Sequence, residues 1–225
     1  MEQGTDRRLF ILAGFAVVAI AVVAAILISR SGGSSDSSTA ASSGGCKEVE
    51  APAPKKVSLK APPQTVKKGE KLTAVVETSC GSFDIALDTS RAPKTVNSFA
   101  YLSDKGFFDD LDFPRIVPGF VIQGGSPSNS TLGGPGYKVV EKPPANLAYT
   151  KGIVAMAKGP TEPPGTSGSQ FFVVTGADAG LQPEYALVGK VSQGMDVVER
   201  IGKLGTPEEK PKQTVLIEKI TIEKS

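Results

Sequence analysis

Histidine and tryptophan are both absent from the 225-residue chain. The lack of histidine removes the usual general base, the usual activator of a serine or cysteine nucleophile and the usual zinc ligand. The only two cysteines, Cys46 and Cys80, are too few for a four-cysteine metal site. The sequence therefore predicts no metal ion and no other cofactor. Aromatic residues make up only 6% of the chain, which argues against a large aromatic ligand cage.

A strong excess of charge is also missing. The formal net charge is only +2, which argues against nucleic acid as a partner. The glycine cluster Gly133-Gly134-Pro135-Gly136 is followed by no Gly-Lys-Ser/Thr, so it does not predict a phosphate-binding loop. A chain of this length holds one domain of ordinary size with additional segments.

The first of these segments is an apolar run over residues 9–28, after a short polar stretch over 1–8. About 20 uncharged residues at roughly 1.5 Å each can span a hydrocarbon core of about 30 Å. A cleaved signal peptide is the alternative, but its apolar region is shorter, and here Ser29-Arg30 follows the run directly. We therefore predict a single-pass signal anchor, with residues 1–8 cytoplasmic and the body of the protein on the extracytoplasmic side of a cell membrane.

Residues 29–70 read as a linker, first rich in Ser and Gly and then in Pro and Lys. The first part is predicted to be a flexible tether and the second an extended segment. Cysteines in an exported region commonly pair, so we predict a disulfide between Cys46 and Cys80. The alternative is two free thiols.

Residues 71–225 predict a mainly β domain. Phe83, Ile85 and Leu87 alternate with polar residues, as in a half-buried strand of a hairpin that begins near Leu72. A helix is predicted from Ala92-Pro93, and a second one between Gly194 and Gly205. Several short apolar runs, such as GIVAMA and QFFVVT, predict further strands. Many short strands with two helices favour an antiparallel barrel or sandwich capped by helices.

One stretch, FPRIVPGFVIQGG over residues 113–125, combines a single charge with apolar neighbours. Burying Arg115 there without a partner would be costly, so it either extends to the surface from a strand or lies in a substrate groove. No Gly-x-Ser-x-Gly elbow is present, and a Ser-His-Asp triad is impossible without histidine. A fixed guanidinium can donate hydrogen bonds but cannot act as a base, which suits a reaction that breaks no covalent bond.

This stretch resembles the signature of the cyclophilins, and GIVAMA, GTSGSQFFV and ALVGKV resemble other blocks of that family in the same order. The resemblance runs from Leu72 to about Glu223. It implies a peptidyl-prolyl cis–trans isomerase, here a bacterial, membrane-anchored form. The implied fold is a closed eight-stranded antiparallel barrel capped by two helices, preceded by the transmembrane helix and the flexible linker.

The resemblance also implies roles for individual residues. The catalytic positions of the family fall on Arg115, Phe120 and Gln123. The substrate-binding positions fall on seven further residues, namely Val121, Met156, Ala157, Gln170, Phe172, Leu181 and Tyr185. The implied partners are proline-containing polypeptides of the exported or envelope kind, bound by a monomer.

Several positions depart from the family pattern. Pro114 and Tyr185 stand where histidine is common, Lys158 where asparagine is usual, and Gly180 where many members have tryptophan. Because of Gly180, weak affinity for cyclosporin is expected. Alternatives to an active isomerase are a membrane-tethered module that binds proline peptides or acts as a chaperone without turnover, and a scaffold in which the polar site residues would be lost.

Overall fold

A computed structural model describes residues 45–224 of the chain. The predicted cytoplasmic segment, the predicted membrane span and the first part of the predicted linker lie outside the described residues and stay predictions. Among residues 45–224, no helix combines the length and the apolar composition that crossing a membrane requires.

Eleven strands and two helices make up the described domain. In chain order they are β1 (Leu72–Thr78), β2 (Gly81–Leu87), α1 (Pro93–Asp104), β3 (Leu111–Asp112), β4 (Arg115–Val117), β5 (Val121–Gly124), β6 (Val139–Val140), β7 (Ile153–Met156), β8 (Thr166–Ser167), β9 (Phe171–Val174), β10 (Leu187–Gln193), α2 (Met195–Gly202) and β11 (Leu216–Lys224). Both helices lie where the sequence predicts them.

Nine of the strands form one curled antiparallel sheet in the order β3-β11-β1-β2-β10-β7-β9-β5-β4, and β6 pairs with β8 separately. The prediction of a closed eight-stranded barrel is therefore wrong, because the two edge strands β3 and β4 are not paired with each other. Only Phe113 and Pro114 separate these strands along the chain. Pro114 has no N–H to donate and β3 has only two residues, so little backbone is available for a closing ladder.

The alternation of side chains along the strands separates two apolar clusters. On β9, Phe171 and Val173 face the main core, which also contains the buried faces of α1 and α2. Phe172 and Val174 face the opposite side, where they belong to a smaller second core. Because successive side chains of a strand point to opposite faces, β5, β7, β9 and β10 each supply residues to both cores. The second core forms the floor of the groove described below.

Residues 46–68, which we call the strap, contain no helix or strand, as predicted for the second part of the linker. They are nevertheless fastened to the domain. Cys46 is disulfide-bonded to Cys80 in the turn between β1 and β2, so the predicted pair is present in the structure. The Leu59 N–H donates to the Pro135 carbonyl at 2.7 Å, farther along the strap. This part of the linker is thus a fixed segment on the surface of the domain.

Candidate active site

The hairpin formed by β4 and β5 places three of the predicted site residues. Arg115 and Gln123 are directly opposed in the ladder between the two strands. The hairpin turns at Pro118-Gly119, where Gly119 has a φ of +68°. This is the left-handed region, which glycine adopts without strain, and proline is favoured before it. Phe120 follows this turn and lines the same groove as Arg115.

The guanidinium of Arg115 is held from two sides. Its Nε donates to Glu209 Oε2 at 2.7 Å, and its Nη1 donates to Gln123 Oε1 at 3.3 Å. The Arg115 side chain is 26% exposed, so its charge is partly desolvated and the carboxylate offsets that cost. The arginine therefore lines the groove and is held there by Glu209 and Gln123.

Glu209 reaches Arg115 from the loop between α2 and β11. Its backbone has a φ of +63°, which is uncommon for a residue other than glycine, and its carbonyl accepts a hydrogen bond from the Ile116 N–H at 3.0 Å. The side-chain hydrogen bond from Arg115, and then the charge of Arg115, hold the pKa of Glu209 below its ordinary value. The carboxylate is therefore charged at neutral pH and fixes one edge of the guanidinium.

A chain of amide hydrogen bonds continues from Gln123 along the groove. Gln123 is 9% exposed, and its Nε2 donates to Gln170 Oε1 at 3.0 Å. Gln170 Nε2 in turn donates to the carbonyls of Thr131 and Gly133 at 3.2 and 3.0 Å. Each amide is thereby fixed in orientation by the next one. The position of Arg115 is linked through this chain to the loop over residues 126–137.

An apolar pocket adjoins the arginine. Phe120, Leu181 and Tyr185 are partly buried and pack against the second core, to which Val121 and Phe172 belong. The Phe172 and Tyr185 rings meet edge to face, with centroids 5.5 Å apart. Such a pocket of aromatic and aliphatic side chains suits a small apolar ring.

Tyr149, a buried residue of the second core, holds the backbone of Tyr185 in this pocket. Its hydroxyl donates to the Tyr185 carbonyl at 2.7 Å and accepts from the Tyr185 N–H at 3.0 Å. Burial of the side chain raises the pKa of Tyr149 to about 12. Lys158, which replaces the asparagine usual in the family, has its Nζ 5.6 Å from the centre of the Tyr185 ring and 3.1 Å from Glu184 Oε2.

Arg115, the chain of amides and the apolar pocket lie along a single groove of about 1010 Å³. It brings together Arg115, Phe120, Val121, Gln123, Ala157, Gln170, Phe172, Leu181 and Tyr185, which are all but one of the predicted catalytic and substrate-binding residues. Within the described part of the chain, no cluster of three or more acidic or cysteine side chains could hold a metal ion.

Met156 is the predicted site residue that the structure places elsewhere. It is 1% exposed and belongs to the main core. On β7, alternation directs Ala155 to the second core and Met156 to the opposite face, and Ala157 again lines the groove. The resemblance to the family identified the right segment but one residue on the wrong face.

Several residues of the site were not predicted from the sequence, among them Val57, Leu132 and Glu209. Val57 of the strap and Leu132 both line the groove, and Leu132 is 74% exposed. Glu209 holds Arg115. The composition of the surrounding segments is ordinary for loops, and no sequence pattern distinguishes these residues.

Comparison with known proteins identifies the class to which this fold and groove belong. Residues 73–222 match the family model described as cyclophilin type peptidyl-prolyl cis-trans isomerase/CLD. The match covers well over half of the chain, and the chain therefore belongs to the cyclophilin-type peptidyl-prolyl cis–trans isomerase family.

Individual relatives agree with this assignment. The chain is 37% identical over 152 residues to a peptidyl-prolyl cis-trans isomerase-like 1 of Neurospora crassa, covering 65% of this chain and 91% of the relative. It is 36% identical over 169 residues to a peptidyl-prolyl cis-trans isomerase A of Mycobacterium tuberculosis, covering 67% and 91%. A crystal structure of a Cryptosporidium parvum cyclophilin type isomerase, determined in the presence of the dipeptide Ala-Pro, matches with a TM-score of 0.63 at 28% identity. That match covers 68% of this chain and 99% of the other.

Proposed function

We propose that this chain accelerates rotation about X-Pro bonds in exported or envelope proteins, and that Arg115 is the catalytic donor. The observation that carries the proposal is the placement of a guanidinium, held by Glu209 and Gln123, beside an apolar pocket. The family shares the isomerase activity, and one solved relative was crystallised with a dipeptide that contains proline.

The chemistry requires stabilisation of a twisted amide. Rotation about the C–N bond costs about 18–20 kcal/mol because resonance is lost, and X-Pro bonds relax unaided in about tens to hundreds of seconds. In the twisted state the proline nitrogen regains its lone pair and can accept a hydrogen bond. A donor that meets this nitrogen stabilises the twisted state more than the planar one, which is the condition for catalysis.

The contacts of Arg115 fit that role. Two of its three nitrogens are used by Glu209 and Gln123. Among residues 45–224, Nη2 donates to no protein acceptor within hydrogen-bond distance, so its N–H groups are available to a bound peptide. The pocket of Phe120, Phe172 and Leu181 receives the proline ring in this proposal.

The location proposed is the extracytoplasmic side of a membrane, with the chain held by its apolar run over 9–28 as a bacterial, membrane-anchored form. The Cys46–Cys80 disulfide supports this location, because disulfides persist in oxidising compartments. Relatives of nearly equal identity come from a fungus and a mycobacterium. The orientation is tested by fusing alkaline phosphatase, which is active only outside the cytoplasm, to the C-terminus. A second fusion carries at the same point a reporter that fluoresces only in the cytoplasm. An inactive phosphatase fusion together with a fluorescent reporter fusion would contradict the proposed orientation.

The isomerase activity is tested by measuring kcat/KM for X-Pro peptides with the full-length protein and its Arg115→Ala variant. Removing one preorganised donor is expected to lower kcat/KM by about 10²- to 10³-fold. Arg91→Ala is a matched control, because Arg91 is an exposed arginine paired with Asp88 outside the groove. It is expected to behave as the wild type.

Two outcomes contradict the proposal. Equal rates for the wild type and Arg115→Ala would remove the catalytic role of Arg115. Saturable binding of proline peptides without acceleration would instead identify a binding or chaperone module. Light scattering of the same preparation tests the proposed monomer.

A further inference from the structure

The strap lies outside the part of the chain that matches the family, which begins at residue 73, yet it contributes to the groove. Val57 lines the same groove as Arg115 and also packs against the main core. Lys55, Val57 and Leu59 alternate with exposed residues along the strap, as in an extended segment with one face against the protein. The strap is thus an addition to the family fold at the edge of the site.

Backbone hydrogen bonds on either side of Val57 fix its position. The Lys55 N–H donates to the Pro127 carbonyl at 2.6 Å, and the Leu59 N–H donates to the Pro135 carbonyl at 2.7 Å. Both acceptors belong to the loop whose Gly133 carbonyl is held by Gln170. The strap therefore braces the loop that terminates the chain of amides from Arg115.

The close approach of the strap to this loop depends on Gly136. A Cβ at this position would lie 3.0 Å from Leu59 N and from Ser58 Cα, and the φ of Gly136 is +96°. Both the space and the backbone conformation require glycine there. The loop is thus shaped to receive the strap.

The far end of the strap is clamped by Asn97, a polar residue on the buried side of α1 that is 4% exposed. Its Oδ1 accepts from the N–H groups of Thr65 and Val66 at 2.7 and 2.9 Å, and its Nδ2 donates to the Pro63 carbonyl at 3.0 Å. The near end is held by the disulfide at Cys46. Val57 lies between two fixed points, so its side chain is a stable part of the groove wall.

We propose that the strap determines substrate specificity, with Val57 as the wall of a subsite that takes an apolar side chain of the peptide beyond the X-Pro pair. Leu132, a highly exposed leucine on the same groove, adds a second apolar surface to this end. The proline ring and the rotating bond are assigned above to Arg115, Phe120, Phe172 and Leu181, so the strap acts on the parts of the peptide that flank them. This inference rests on the proposed isomerase function.

The test compares kcat/KM of the full-length protein for two sets of X-Pro peptides. The first set consists of short X-Pro dipeptides with blocked termini. The second set consists of longer peptides that carry Ala, Leu or Phe at the positions flanking the X-Pro pair on either side. Val57→Ala is expected to lower the preference for Leu or Phe over Ala by roughly three- to ten-fold, because the apolar wall recedes. Val57→Phe is expected to lower kcat/KM for the Phe peptides by filling their space. The short dipeptides should be unaffected by either change.

Val66→Ala is the matched control. Val66 is also a partly buried strap valine packed on the main core, but it does not line the groove. It should retain the wild-type preference. The inference is overturned if the Val57 variants show the same ratio between peptides as Val66→Ala, or if they lower kcat/KM equally for all peptides including the short dipeptides. Failure of the proposed function is distinguishable, because the wild type itself would then show no acceleration that depends on Arg115.

Discussion

Glu209 Oε2 accepts a hydrogen bond from Arg115 Nε at 2.7 Å, although 94 positions separate the two residues in the chain. One residue begins strand β4, and the other lies in the loop after α2. The pair limits the guanidinium to one orientation, with one edge directed at the carboxylate and its other nitrogens left for Gln123 and the groove. The proposed catalytic donor is therefore oriented by two different parts of the fold.

Replacing this carboxylate is expected to affect turnover more than binding. Glu209→Gln keeps an oxygen that can accept from Nε but removes the charge, and Glu209→Ala removes both. Because the pair is partly exposed and worth about 0.2–1 kcal/mol, kcat should fall by up to about five-fold in Glu209→Gln and more in Glu209→Ala, with KM nearly unchanged. Glu208→Gln, on the exposed neighbour, is the control. Wild-type kcat in Glu209→Ala would show that Gln123 alone orients Arg115.

The same pair predicts an acid limb in the pH dependence of kcat/KM. The folded protein holds the pKa of Glu209 below 4.5, so the ion pair is complete at neutral pH and is lost as the pH falls through that lowered value. Arg115 is the charged group that acts on this carboxylate. Activity measured by NMR exchange, which needs no coupling protease, should decline on acidification below about pH 4.5. Glu209→Gln should lack this component, and an unchanged profile in that variant would contradict the assignment.

Tyr149→Phe is expected to destabilise the pocket. The change leaves the N–H and carbonyl of Tyr185 without their partner, at a cost of about 1–3 kcal/mol in the free energy of unfolding. Because the folded pKa of about 12 exceeds the ordinary 10.0, the wild type should also lose stability as the pH rises from 10 to 12. Urea unfolding of the wild type, Tyr149→Phe and the control Tyr101→Phe measures both effects. Parallel alkaline losses in all three would exclude Tyr149 as the source.

Removing the disulfide is expected to lower stability and release the strap. The bond joins residues 34 positions apart, and closing a loop of that length is worth about 3–4 kcal/mol in the chain-entropy model. Reductant should therefore lower the unfolding midpoint of the wild type but not that of the double variant Cys46→Ala/Cys80→Ala. Thiol labelling of the unreduced, denatured protein should find no free cysteine. Two labelled cysteines would refute the bond.

Weak binding of cyclosporin is expected, because Gly180 presents no side chain at the position where many cyclophilins carry tryptophan. Gly180 adjoins Leu181, which lines the groove, so the change lies beside the proline pocket. A competition titration against the isomerase activity measures the affinity. Nanomolar inhibition would contradict this expectation.

Local pattern was sufficient to predict much of the fold. The alternation of Phe83, Ile85 and Leu87 correctly predicted buried side chains on β2, since burial on one face of a strand follows from its period of two. The glycines and the proline at the helix ends located α1 and α2. Closure of the sheet was not predictable in this way, because it depends on whether the two edge strands pair, and local alternation does not determine that. The open edges at β3 and β4 reflect the short connection through Pro114.

The site was predictable where the sequence carries it in one stretch. Arg115, Phe120 and Gln123 lie within one hairpin, so their proximity follows from the turn at Gly119. The contributions of Val57 and Glu209 arise from contacts between loops that are far apart in sequence, and such contacts have no period or motif. Met156 lies in a segment that the sequence did identify, but its side chain faces the core. A shift of one residue along a strand is enough to move a side chain from the groove to the core.

The disulfide also determines how mechanical load enters the domain. Tension applied to the chain before Cys46 passes through the sulfur–sulfur bond to Cys80 and does not travel along residues 47–79. The tension therefore bypasses strand β1 and the strap, which carries Val57 in the groove wall. In the membrane-anchored arrangement proposed above, force applied to the anchor would leave the substrate groove undistorted. Reduction of this one bond would transfer the force to the strap.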